Sequence, residues 1–370
     1  MKKVLYIATI TRHIMSFHLP YIKELKEKGY LVDVASNNNE YNYQIPNVNE
    51  QIDIPFERSP YSYKNIIAFI KLKKKIELEN YDFIHCHTPI ASVITRLVLD
   101  KKSKTKIIYT AHGYHFYKGA PLVNWLIYYP VEKKLSKRTN TIITINHEDY
   151  LISQKFNSDN VHILNGIGVD STKFFKADVS LEQEIKKKLG IKSEDIILFY
   201  AAEFNENKNQ KILVSSLKYL IKVNPKIKLV LAGEGEMKNE LIKYAQEINV
   251  SANILFLGQI NNIDDWLKVS KLVLSSSKRE GLPVNLIEAM FSGLPAVVSN
   301  CRGNKDLIDH GKNGYVFNSK IELIYYILKI LNDKKLYSEM SYNSLEKSKI
   351  YEVEIIKNNL LNIYNGVINV

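Results

Sequence analysis

The feature that most limits how this chain can fold is an alternation of short apolar runs with stretches of helical spacing, repeated along its length. Residues 4–9 form an apolar run; 17–28 place Leu19, Ile22 and Leu25 on one helical face and close at Gly29; 31–35 are strand-like again. The pattern continues with a basic amphipathic helix over 66–79, a strand over 83–86, a helix over 90–99, and strands at 107–110 and 141–145. Short strands separated by helices form a parallel sheet covered on both faces.

The alternation then stops and restarts. Asn165-Gly166-Ile167-Gly168 is a turn-rich break, followed by about 25 polar, mixed residues. A second series follows, with strands at 196–201, 228–232, 254–257, 272–275 and 296–299. Helices at 210–222, 238–248, around 264–269 and at 284–292 lie between them. With 370 residues and roughly 150 per domain, two domains are expected. The boundaries read as 1–168 and 169–350, with a final helix over 351–370 that packs back on the first domain. Both are α/β and doubly wound, and in such sheets ligands sit beyond the carboxyl ends of the strands.

Composition narrows the class. With 45% hydrophobic and 24% charged residues the chain is of ordinary globular type, which excludes disordered, collagenous and disulfide-scaffold classes. No apolar run reaches the ~20 residues a spanning helix needs. The opening Met1-Lys2-Lys3 and apolar run imitate a leader, but the run stops at Thr9 with no small-residue cleavage site, so it reads as a buried strand. Cys86 and Cys301 lie far apart and read as reduced thiols of a cytoplasmic protein. The net charge is +12, with 23 Lys/Arg against 15 Asp/Glu in residues 1–168. A basic half suits an anionic partner, whether phosphate, nucleic acid or acidic lipid; a preference for lysine on solvated faces would give the same count.

The most specific string is Ser277-Lys278-Arg279-Glu280-Gly281-Leu282-Pro283-Val284-Asn285-Leu286-Ile287-Glu288-Ala289-Met290, followed by Gly293-Leu294-Pro295. Glu280 falls in the loop after a strand. Pro283 sits near the first turn of a helix, where its missing N–H costs nothing. The amides of that turn are placed to receive a phosphate or sugar oxygen. Glu288 lies one turn further in, where a carboxylate accepts both hydroxyls of a ribose. A capping acid followed by a surface acid would also place two glutamates eight apart, but not within this whole string.

This string resembles the E-x7-E signature of the retaining glycosyltransferases of family 4, and the resemblance covers nearly the whole chain. It implies the GT-B fold: two Rossmann-like doubly wound domains facing each other across a cleft, the first binding the acceptor and the second the nucleotide sugar. It implies that Glu280 meets the transferred sugar, that the backbone of Gly281 and Leu282 and the turn at Pro283 lie against the donor, and that Glu288 binds the nucleotide ribose. His112, in Tyr109-Thr110-Ala111-His112-Gly113, resembles the family's first-domain histidine near the transferred sugar. Ile84-His85-Cys86-His87-Thr88 resembles the strand end preceding it, and Asn165-Gly166-Ile167-Gly168-Val169-Asp170 the connection about which the domains close. Many members carry Gly-Arg after the first strand of the second domain and Lys about six residues on, both binding the diphosphate. Here the strand ends Ala202-Glu203, with Lys208 in the lysine's place. Lys208 is therefore expected at the diphosphate. Either Glu203 turns away toward sugar hydroxyls or the acceptor, or another base substitutes, with Lys211 and Arg302 as the candidates.

On the acceptor side, residues 9–18 replace the glycine-rich loop of dinucleotide folds, so nicotinamide-dinucleotide binding is not expected. Arg12, His13, His18 and His87 are the candidate acceptor contacts. His85 and His87 are expected on opposite faces of their strand, so that one at most reaches the ligand edge. His115 has no carboxylate or cysteine at ligand spacing, and neither metal nor other cofactor is expected. Leu122-Val123-Asn124-Trp125-Leu126-Ile127-Tyr128-Tyr129, followed by Lys133, Lys134, Lys137 and Arg138, suits an anionic membrane surface or a core helix with a basic end. Lys71, Lys73, Lys74, Lys75, Lys101, Lys102, Lys104 and Lys106 extend the basic surface. Gly233-Glu234-Gly235-Glu236 and Gly258-Gln259-Ile260 read as loops at the nucleotide base or as plain tight turns.

The resulting expectation is metal-independent transfer of a sugar, of N-acetylated hexosamine type, from a UDP-sugar to a polyprenyl-diphosphate-linked saccharide. The resemblance to capsule and exopolysaccharide assembly members places this at the inner face of the cell membrane. A UDP-sugar epimerase on the same fold is the nearest alternative. Nucleic-acid binding finds no recognition helix, aromatic sheet motif or zinc pattern to support it. Oligomeric state is left open.

Overall fold

The computed structural model describes residues 1–39, 42–99 and 103–368. Lys101 and Lys102 lie outside the described residues. The chain divides into two compact units: Met1–Gly168 together with the chain from Val353 on, and Val169–Glu352.

The first unit holds a seven-stranded sheet with β1 (Lys3–Ile10), β2 (Leu31–Asn37), β3 (Glu50–Asp53), β4 (Phe83–His87), β5 (Lys106–Ala111), β6 (Thr141–Thr144) and β7 (Asn160–Ile163). All its pairings are parallel, in the order β3-β2-β1-β4-β5-β6-β7. Helices cover both faces, which is why Val4, Leu5, Tyr6, Ile7 and Ala8 are all fully buried although their side chains alternate. The register of β1 against β2 shifts between Ile7 and Ile10, so the strand is irregular where it reaches its carboxyl end. Helix Val353–Ile368 belongs to this unit. Its Ile356, Leu360 and Tyr364 share a core with Val4, Tyr6 and Ile22. Gly168 lies so close to Val353 that an added Cβ would sit 2.6 Å from its Cα, and its φ of +73° is one glycine adopts freely.

The second unit holds a six-stranded parallel sheet with β8 (Ile196–Ala201), β9 (Ile227–Ala232), β10 (Ile254–Gly258), β11 (Ser270–Ser275), β12 (Ala296–Ser299) and β13 (Gly314–Phe317). Its order is β10-β9-β8-β11-β12-β13, the doubly wound arrangement. In each sheet the winding reverses beside the first strand: between β1 and β4, and between β8 and β11. Those are the two edges at which such folds place ligands.

Three strands carry no clear signal in the sequence: β3, β7 and β13. All lie at sheet edges, and the first two have exposed ends and only half-buried centres. Residues 9–18 are not a loop. A helix runs over Thr11–Phe17, and after His18 a second one runs over Leu19–Glu27, in place of a single helix over 17–28.

One ion pair is buried in the first unit. The Arg96 guanidinium donates to both Glu132 oxygens at 2.8 and 3.2 Å and lies 4.2 Å from the Tyr109 ring. Removing the carboxylate would strand a buried cation. Glu132→Ala should therefore cost about 3–5 kcal/mol in chemical denaturation. A loss below about 1 kcal/mol, the range of exposed pairs, would show that the pair contributes like a surface one.

Candidate active site

In the second unit the loops after β8 and β11 are stitched together across the point where the winding reverses. The Lys278 amide donates to the Asn207 carbonyl (2.7 Å), the Asn207 side chain donates to the Arg279 carbonyl (3.1 Å), and the Ser276 hydroxyl donates to the Lys208 carbonyl (2.7 Å). Helix Val284–Phe291 follows, with Pro283 as its N-cap and the Asn285 side chain donating to the Ala201 carbonyl at 2.8 Å. This framework sets Lys208 Nζ against Glu280 Oε1 at 2.5 Å, both side chains mostly enclosed. Arg302, buried at the start of the helix after β12, donates through Nε to the Glu280 carbonyl at 3.1 Å. Its approach depends on Gly303, where a Cβ would meet the Gly281 carbonyl oxygen at 2.5 Å. Leu282 buries its side chain, so the turn at Gly281–Leu282 offers backbone.

Glu288 has no hydrogen-bond or ion-pair partner among the described residues. Burial pushes its carboxyl up to about 7, with Asp264 adding to the rise and Lys173 opposing it. A carboxylate held in this way binds hydroxyl donors well once ionised. Glu203 is exposed and accepts from the Asn205 side chain at 3.1 Å, pointing to no base. Lys211 pairs with Glu240 at 3.2 Å on the surface. Of the two candidate substitutes, Arg302 is the one at Glu280. The Gly233–Glu236 and Gly258 turns pack on the loop after β8. A Cβ on Gly233 would lie 2.1 Å from the Ala202 oxygen, and one on Gly235 would lie 2.3 Å from the Phe204 oxygen, so close packing explains both glycines.

The corresponding edge of the first unit gathers histidines. His13 lies in the first helix after β1, His18 just beyond it, His87 ends β4, and His112 follows β5. The rings of His18 and His87 lie 4.0 Å apart, those of His13 and His112 4.9 Å, and His87 Nδ1 meets His112 Nε2 at 3.2 Å. His85 and His87 do not point to opposite faces. Residues two apart on a strand share a face, and these rings lie 4.0 Å apart, both beside Tyr6. His85 is satisfied internally, by Tyr364 at 2.6 Å and Thr110 at 2.7 Å. The Nε2 atoms of His13, His18 and His87 are buried without a partner. Burial lowers all five: His112 to about 4, His85 to about 3, and His13, His18 and His87 well below the ordinary value, with neighbouring imidazoles adding to the fall at all but His112. The cluster is therefore neutral near pH 7. Neutral imidazoles bind metal ions, and His13, His18 and His112 offer nitrogens within 4.8 Å of one another. Arg12 is exposed beside this cluster.

One residue here escaped the sequence reading. Thr88 adopts a φ of +65°, costly for a β-branched residue. Its hydroxyl takes the Thr9 amide at 2.9 Å and the Thr9 hydroxyl at 2.7 Å, which fixes the turn that presents His87. The only hint is Pro89, which restricts the residue before it. Arg302 was expected as a substitute base, but the close approach at Gly303 that sets its place is a contact no local pattern reports.

Comparison with known proteins agrees with this geometry. Residues 182–347 match the family model described as glycosyl transferases group 1, and residues 3–146 match glycosyl transferase 4-like. EpsD of Bacillus subtilis, named as a glycosyltransferase, is 39% identical over 337 residues, covering 88% of each chain. The UDP-Gal:alpha-D-GlcNAc-diphosphoundecaprenol alpha-1,3-galactosyltransferase of Escherichia coli is 29% identical, over 77% of this chain and 74% of that protein. The fold matches Anabaena Alr3699/HepE, solved in complex with UDP and glucose, with a TM-score of 0.80 over 99% of this chain and all of that one at 16% identity.

Two titrations follow, with opposite signs. The imidazoles bind fewer protons folded than unfolded between their lowered values and about 6.5, so stability should rise with pH across that window, by about 1.4 kcal/mol per pH unit for each fully buried one. Glu288 binds its proton more tightly when folded, so its contribution falls as pH rises from about 4.5 to about 7. Glu288→Gln should then stabilise the protein at pH 8 by roughly 1–3 kcal/mol and do nothing near pH 4. Thermal melts of both proteins from pH 4 to 8 read both effects; superimposable profiles would mean that Glu288 is solvated.

Proposed function

This chain belongs to the family 4 glycosyltransferases of GT-B fold, and from that membership we propose that it transfers a sugar, with retention and without a metal, from a UDP-sugar to a polyprenyl-diphosphate-linked saccharide. The observation that carries the reading is the Lys208–Glu280 contact, flanked by Arg302 at the carboxyl edge of β8, β11 and β12. Two bases thus approach Glu280, one at its carboxylate and one at its carbonyl. In this reading Lys208 exchanges Glu280 for a diphosphate oxygen, and the first-turn amides of Val284–Phe291 take another. Glu288 accepts the ribose hydroxyls, and Glu280, released from Lys208, meets the transferred sugar. The acceptor hydroxyl attacks the face from which the nucleotide departs, and the leaving phosphate oxygen takes its proton. His112, neutral near pH 7, serves as a hydrogen-bond partner for a sugar hydroxyl. The lipid-linked acceptor rests on the printed activity of the Escherichia coli relative. An N-acetylated hexosamine donor rests on the sequence resemblance.

UDP should raise the Tm more than GDP, ADP or NAD, with the shift unchanged by chelator; a shift abolished by chelator would overturn the metal-free site. Glu288→Ala should weaken UDP binding by about 1.5–3 kcal/mol. Glu280→Ala and His112→Ala should lower kcat far more than UDP affinity. Near-normal turnover in both would move the chemistry elsewhere. NMR of the product anomer checks retention. A sugar nucleotide isomer formed in place of a glycosylated acceptor would mark an epimerase.

The same proposal places the first unit on the cytoplasmic face of the cell membrane. No helix among the described residues is long and apolar enough to cross a membrane. Helix Leu122–Ser136 instead exposes Leu122 (80%), Leu126 (76%), Val123 and Ile127, with Lys133 and Lys134 in its last turn. Apolar residues beside bases suit an anionic bilayer surface. The protein should float with anionic liposomes, less so at high salt, and Leu122→Ser with Leu126→Ser should reduce flotation; equal recovery with zwitterionic vesicles would count against the surface.

A further inference from the structure

The first unit has a second feature at its ligand edge, beside the histidines and separate from them. A cavity of about 280 Å³ opens at the carboxyl ends of β1, β2 and β3. That is close to the lower end of the ~300–1,000 Å³ of small-molecule sites, a size for a headgroup. Arg12, Arg58 and Lys64 line it, with Glu57 as the carboxylate on its wall. Lys64 pairs with Glu57 at 2.8 Å, whereas Arg12 and Arg58 have no hydrogen-bond or ion-pair partner among the described residues. Asn37 on the wall is fixed by its bond to the Phe56 carbonyl (2.9 Å), and Thr11 by its bond to Ser36 (2.7 Å). Two guanidiniums with no ion-pair partner among the described residues, lining one small cavity, suit the bidentate geometry of phosphate oxygens.

What lies next to the cavity narrows the ligand. Lys64 is the first residue of helix Lys64–Leu78, and the next turns of that helix expose Ile66 (65%) and Ile70 (61%). Tyr61 and Tyr63, just before Lys64, are exposed at 92% and 69%. The segment that leads from the cavity wall into this helix thus carries uncovered apolar and aromatic side chains. A soluble anion would use the cavity and leave these side chains bare; a diphosphate carrying a prenyl chain would use both.

We propose that this cavity is the subsite for the acceptor's diphosphate, held by Arg12 and Arg58, with the prenyl chain lying along Tyr61, Tyr63, Ile66 and Ile70. The assignment rests on the transferase reading for its acceptor, and on the cavity for its place.

The test is calorimetric titration of the full chain with pyrophosphate, geranyl diphosphate and citrate, the donor site being kept filled with saturating UDP. Geranyl diphosphate should bind about tenfold more tightly than pyrophosphate, because its chain buries apolar surface. Arg12→Ala with Arg58→Ala should weaken it by about tenfold or more, with UDP affinity unchanged. Should the double variant also lose UDP binding, Arg58→Gln alone, at an exposed position, repeats the comparison. Unchanged binding in the variants overturns the site. Pyrophosphate or citrate binding as tightly as geranyl diphosphate overturns the lipid diphosphate in favour of a soluble anion. Failure of the wild-type chain to bind UDP would overturn the donor reading of the second unit, while the arginine variants would still decide the cavity.

Discussion

Everything in this molecule follows from covering both faces of a parallel sheet. Once helices lie on each side, no strand residue has a wet face, so strand bodies become apolar and polar chemistry moves to the strand ends. β1 shows the rule: five consecutive residues from Val4 to Ala8 are fully buried, and the first residues that touch ligand-sized space come at its end, at Ile10, Thr11 and Arg12. The second sheet repeats it, with its charged residues beyond β8, β11 and β12. His85 is the informative exception. It sits inside β4 and is tolerated because Thr110 and Tyr364 take both ring nitrogens.

The two edges meet their desolvation cost differently. The second unit keeps ions but partners them, setting Lys208 on Glu280 and Arg302 on the Glu280 carbonyl, so an incoming anion exchanges partners instead of being stripped of water alone. Among the described residues no carboxylate sits with the first unit's histidines, and burial resolves the problem by removing protons. That gives a neutral, polarisable surface suited to hydroxyls, next to a cationic cavity suited to an anion. The division matches what each unit is proposed to hold: a charged donor in one, a sugar acceptor with a charged anchor in the other.

Much of this was legible in the sequence because strand bodies and the Glu280–Glu288 string are local patterns. The central strands announce themselves as unbroken apolar runs, and the spacing of Glu280, Pro283 and Glu288 places a loop, a cap and a helix face in order. What stayed hidden depends on contacts across the fold. β3 and β7 are edge strands with one neighbour each, so they need no apolar run. The stretch after β1 looked like a loop because Arg12, His13 and Ser16 interrupt its apolar spacing. It folds as a helix because Ile14 is buried in the core that Tyr6 and Ile22 share. The pairing of His85 with His87 was misjudged by arithmetic, since a period of two puts them together.

The departure at Glu203 shows how such a site tolerates change. A carboxylate stands where many relatives have an arginine, and near a diphosphate it would oppose binding. The structure turns it to solvent, where Asn205 donates to it. Positive charge at the edge comes instead from the far side of the reversal point, through Arg302, because Gly303 lets that backbone approach Gly281 within a distance no side chain allows. Three loops converge on one place, so the field there depends on the sum of their charges and not on which loop carries each one. A position-by-position reading therefore records a lost base, whereas the folded edge brings Arg302 to Glu280 from another loop.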